Sequence, residues 1–77
     1  MLTLREKEVL CLAEYSNLEI ARLLHIELQT VKNHWTEVYR KLNMDGQKPK
    51  RTYALTSALR KGIVTMSEVK DARRDRI

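Results

Sequence analysis

The stretch SNLEIARLLHIELQTVKNHWTEVYRKL, residues 16–42, decides how the chain folds. It opens on Ser16-Asn17-Leu18-Glu19. The serine hydroxyl can accept from the backbone N–H of Glu19, and the Glu19 carboxylate can accept from that of Ser16, a reciprocal pair that starts a helix. Leu18, Ile20, Ala21, Leu23 and Leu24 make this helix short and mostly buried, ending at Leu24. His25 stands where a terminating glycine would be convenient, which predicts a left-handed residue with its ring near the negative helix end. A longer helix is predicted over residues 28–43. Val31, Trp35, Val38 and Leu42 are spaced four, three and four apart and share one face. Lys32, Asn33, Thr36 and Arg40 project from a different face, with Glu37 at its edge.

Working outward, Thr3-Leu4-Arg5-Glu6 is a second capping box. It begins a helix with Val9, Leu10, Leu12 and Ala13 on its apolar face, expected to end near Tyr15. Downstream, Asp45-Gly46 signals a turn and Lys48-Pro49-Lys50-Arg51 a basic loop. A fourth helix is predicted from about Thr52 to Lys61, with Leu55, Ala58 and Leu59 on one stripe, Ala54 beside it and Gly62 closing it. Residues 65–77 are weakly specified: Ser67-Glu68-Val69-Lys70 can start a short fifth helix, and a mobile tail is equally compatible. The expected division is a domain over residues 1–64 and a charged tail over 65–77.

The bulk numbers agree with an all-helical domain. Two glycines and one proline among 77 residues leave few helix breakers. A chain this short buries only about 60% of its unfolded surface, so a substrate-sized cleft would consume much of the core. No nucleophile, base and orienter can be assembled, and no glycine-rich phosphate loop is present. Cys11, His25 and His34 lack zinc-ligand spacing. An enzyme, a metal site and a cofactor are therefore not expected. A single cysteine forms no internal disulfide, and no apolar run approaches a membrane span. A cytoplasmic protein is expected.

The net charge is +5, and its distribution is uneven. Residues 1–27 carry three basic and five acidic side chains, residues 28–51 six basic and two acidic. A basic middle suits a polyanion, nucleic acid before membrane. Two short helices with a tight connection, the second polar and basic on its outer face, describe a helix-turn-helix. In that arrangement lysine can donate to guanine O6 and N7, asparagine suits adenine N6 and N7, and threonine offers a hydroxyl or a methyl.

The sequence resembles the LuxR-type (LuxR/FixJ) DNA-binding domain of bacterial transcription regulators. The likeness is carried by Leu2-Thr3-x-Arg5-Glu6-x-Glu8-Val9-Leu10, Ser16-Asn17-x-Glu19-Ile20-Ala21, Thr30-Val31-Lys32-Asn33-His34 and Arg40-Lys41-Leu42. It covers about residues 2–64 and implies an all-α, four-helix fold whose third helix reads the major groove and whose fourth often mediates dimerisation. Carried onto this chain, the base-reading positions are Lys32, Asn33 and Thr36. Gln29, Thr30, Arg40, Lys50, Arg51 and Thr52 are expected at phosphates, and Tyr53, Thr56, Ser57 and Arg60 at a homodimer interface. The chain departs from the family pattern in four places: a connection at residues 13–16 about two residues shorter, Glu27 in place of a serine cap, Trp35 in place of a smaller aliphatic, and about four extra residues between Asn43 and Arg51.

The expected function is a bacterial, nucleoid-associated regulator binding double-stranded DNA as a homodimer, with no membrane or small-molecule partner. Two alternatives stay open at this point. One is an adaptor or anti-regulator that uses the fold to bind a transcription factor or RNA polymerase. The other is a module like sigma-factor region 4, which shares the opening and the Glu-Ile-Ala block.

Overall fold

The computed structural model describes residues 1–44 and 51–74, and every regular element among them is helical. In chain order these are α1 (Leu4–Cys11), α2 (Asn17–Leu24), α3 (Leu28–Lys41), α4 (Arg51–Arg60) and α5 (Met66–Arg74). The turn at Asp45-Gly46 and most of the basic loop lie outside the described residues.

Both expected capping boxes are present. Thr3 N–H donates to Glu6 Oε1 at 2.9 Å and Glu6 N–H to Thr3 Oγ1 at 3.2 Å. Ser16 and Glu19 repeat the exchange at 3.0 and 3.1 Å. A third box, overlooked in the sequence, begins α5: Thr65 N–H donates to Glu68 Oε1 at 3.0 Å, and Glu68 N–H to Thr65 Oγ1 at 3.2 Å. Each box satisfies two backbone donors that a helix start leaves bare. Glu27 precedes α3 with no side-chain cap.

Three helix ends close in the left-handed region. His25 (φ 57°), Asn43 (φ 60°) and Gly62 (φ 75°) turn the chain back, so that the next residue donates to a carbonyl five residues earlier. The bonds are Ile26 to Ala21 at 3.0 Å, Met44 to Tyr39 at 2.7 Å and Ile63 to Ala58 at 2.9 Å. The expected left-handed termination at His25 and the closing of α4 by Gly62 are thus observed. Asn43 shows why α3 stops short of the expected boundary: its backbone reverses, and Met44 is buried.

The first helix also ends earlier than Tyr15. Val9, Leu10, Cys11, Leu12 and Ala13 are all buried, and five consecutive residues cannot share one helix face. The chain instead leaves the helix and crosses the core in tight turns, with Leu12 N–H donating to Val9 O and Ala13 N–H to Leu10 O at 3.1 Å. Helix α1 consequently lies at the centre of the domain, touching α3, α4 and α5, while α2 packs on α3.

Helix α5 joins this core. Val69 is buried with the residues of the other helices, and Arg73 donates from Nε to the Cys11 carbonyl at 3.2 Å and pairs with Glu14 at 3.5 Å. Cys11 is buried and free. Burial, and after it the charge of Glu68, pushes its thiol up to about 11, so it is an inert, small apolar filler.

Candidate nucleic-acid interface

Helix α3 rests on Val31, Trp35, Val38 and, just beyond its end, Leu42, all buried. With 3.6 residues per turn, Gln29, Lys32, Asn33, Thr36 and Arg40 fall in a sector of about 100° on the far side of that ridge. All five are exposed. The three positions expected to read bases are therefore brought together on one open strip.

Local hydrogen bonds order the strip. Gln29 Nε2 donates to Asn33 Oδ1 at 3.1 Å, and Thr36 Oγ1 donates to the Lys32 carbonyl at 3.1 Å. The threonine proton is thereby used on the backbone, and what Thr36 can offer outward is a methyl group and an acceptor oxygen. Arg40 grips Glu37 with two bonds, Nε to Oε2 at 3.0 Å and Nη2 to Oε1 at 2.9 Å. That fork holds the Glu37 carboxyl below its ordinary value and neutralises the one acid at the edge of the strip.

The remaining expected positions divide. Thr30 is half-buried beside the strip, and Thr52 is exposed in the first turn of α4. Lys50 lies outside the described residues. Arg51 is not directed outward with them: its Nη1 donates to the Tyr15 carbonyl at 3.1 Å, its Nη2 to Asn17 Oδ1, and its Cζ sits 5.0 Å from the Trp35 ring centroid. On α4, Tyr53, Thr56 and Arg60 are exposed and Ser57 half-buried. Tyr53, Ser57 and Arg60 line a shallow groove of about 350 Å³ with Leu42 to Met44.

Two inter-helix ties went unread in the sequence. Lys41 Nζ donates to Glu6 Oε1 at 2.7 Å, joining the end of α3 to the start of α1. Glu6 is 5% exposed. Burial tends to raise its carboxyl, but the Lys41 hydrogen bond, the Thr3 N–H and the Lys41 charge together hold it below the ordinary value. Both residues belong to the motif blocks, and the signal available was their helical phase: Lys41 falls between the ridge of α3 and its wet strip. The second tie is Arg51.

Buried-ridge packing, a three-residue turn from His25 to Glu27 and an open polar strip define a helix-turn-helix DNA-binding domain. The family model GerE, described as bacterial regulatory proteins of the luxR family, matches residues 1–49. The chain belongs to this family, and is a DNA-binding domain of the transcription-regulator type. No curated protein and no solved structure matches it significantly. Among the described residues no group of His, Cys, Asp and Glu is arranged to hold a metal ion, and no helix is long and apolar enough to cross a membrane.

Proposed function

We propose that this domain recognises specific duplex DNA sequences by laying α3 in the major groove, as a homodimer on two half-sites. The observation that carries this reading is the strip of Gln29, Lys32, Asn33, Thr36 and Arg40, polar and exposed, opposite the buried ridge. Lys32 donates to a guanine edge. Asn33 releases Gln29 and takes adenine N6 and N7, and Thr36 turns its methyl toward thymine. Gln29, Thr30, Thr52 and Lys50 set the register at phosphates, and Arg40 exchanges Glu37 for a phosphate oxygen. That exchange is reasonable because the Arg40–Glu37 pair is solvent-exposed and such pairs hold weakly.

Residues 1–64 carry the reading unit, and α5 braces it through α1. The dimer contact uses Tyr53, Thr56, Ser57 and Arg60, which recur along one side of α4. A regulator of this kind works in the bacterial cytoplasm, where its DNA is.

Selection of bound sequences from random duplexes tests the reading. A two-fold symmetric site is expected, and Lys32→Ala should weaken binding to it by about 1–3 kcal/mol while relaxing preference at one base step. Unaltered affinity and preference in Lys32→Ala would show that the residue does not read a base.

A further inference from the structure

Arg51 opens α4, yet its guanidinium touches three other parts of the domain at once. It donates to the carbonyl of Tyr15 in the connection before α2 and to Asn17, the first residue of α2, and it lies over the face of Trp35 on the buried ridge of α3. Trp35 is the only tryptophan in the chain and is 4% exposed. Among the described residues its indole Nε1 has no hydrogen-bond partner. Among those residues no polar bond fixes the rotation of this ring. Its directional neighbours are the guanidinium above it and the tilted ring of Tyr39, 5.6 Å away.

We propose that Arg51 is a positioning residue for base reading: it sets how α3 sits against α2, and it does so with a charge turned into the domain instead of onto DNA. A planar guanidinium can stack on an indole and donate to two acceptors in one plane, a geometry that a tetrahedral ammonium does not reproduce. The angle of α3 decides whether Lys32, Asn33 and Thr36 reach base edges together, so loosening this clamp lowers specificity more than it lowers general attraction to DNA. The inference rests on the major-groove reading above.

The test uses the full chain with Arg51→Lys, Arg51→Met and Asn17→Ala. Without DNA, Arg51→Lys and Arg51→Met should both shift Trp35 emission and lower the unfolding midpoint, by roughly 4–8 °C for a domain of this size. With DNA, Arg51→Lys should lose about tenfold for the selected duplex, much less for random duplex, and keep the wild-type salt slope. The opposite pattern overturns the proposal: Arg51→Lys restoring wild-type binding, and Arg51→Met reducing the salt slope by about 0.9, mark a phosphate contact. If Arg51→Met fails to fold, Asn17→Ala keeps the question open to measurement. It removes one acceptor and should lower sequence preference in the same direction, and an unchanged preference refutes the clamp. Unchanged Trp35 emission and midpoint in Arg51→Met, with wild-type DNA preference intact, overturns the clamp alone. A wild-type domain with no preference among duplexes overturns both readings, even if Trp35 emission shifts in the variants.

Discussion

Replacing Glu6 by alanine removes a hydrogen bond to the Thr3 N–H and strands the ammonium of Lys41. The Lys41 side chain is 20% exposed and that of Glu6 7%, so the pair is largely withdrawn from water. Breaking a fully buried pair costs about 3–5 kcal/mol. The remaining access of Lys41 to water lowers this, and loss of half a capping box adds about 0.5–1 kcal/mol. The expected total is about 2–4 kcal/mol, against roughly 4–12 kcal/mol for a whole domain of this length. Urea unfolding followed by helical circular dichroism measures it. Lys41→Met should also destabilise, by leaving the carboxylate without its counterion, and the double variant Glu6→Ala/Lys41→Met should cost less than the sum of the singles. The pH dependence follows the same logic. Folding depresses the Glu6 pKa, so its contribution is complete above about pH 4.5 and is lost as pH falls through the lower folded value. Additive singles, or a Glu6→Ala cost below about 0.5 kcal/mol, would refute the reasoning.

Three further outcomes are expected. Leu10 is fully buried, so Leu10→Ala should cost about 2–5 kcal/mol in chemical denaturation; a smaller loss means that the core collapses into the gap. Among the described residues an added Cβ at Gly62 meets nothing within 4 Å, so Gly62→Ala should cost only the left-handed conformation, about 1–2 kcal/mol, and a markedly larger loss would indicate a steric clash instead. Cys11, with its thiol pushed up to about 11 and buried, should resist disulfide reagents at pH 8 until the domain opens. Immediate labelling of the native protein would contradict this.

Much of the fold was legible because it is written in local chemistry. Thr3 with Glu6 and Ser16 with Glu19 are recognisable three residues apart, and His25 and Gly62 sit at the ends of apolar periodicity. The ridge of α3 has one clear period, so its open strip could be assigned without coordinates. Helix α5 was half-read: Thr65-Met66-Ser67-Glu68 has the same cap as the others, but its apolar content is small. Among its described residues Val69 is the one buried in the core, with Ala72 partly buried against it, and that packing on α1 is not a local property. The same limit hid the roles of Lys41 and Arg51. Arg51, in a basic loop, reads as a phosphate contact in sequence and Lys41 has no assigned partner, because the direction of each depends on distant groups: Glu6, 35 positions away from Lys41, and Tyr15, 36 away from Arg51. The early end of α1 was missed for a related reason, since continuous burial from Val9 to Ala13 suits a chain crossing the core as well as a helix.

Titrating the isotope-labelled domain with its selected duplex, and following each backbone amide by NMR, probes the open strip most directly. The largest shifts should fall along Gln29, Lys32, Asn33, Thr36 and Arg40, with Thr52 responding more weakly. Shifts concentrated instead on the α1–α5 side, with the α3 strip silent, would contradict the assignment of α3 as the element that meets DNA.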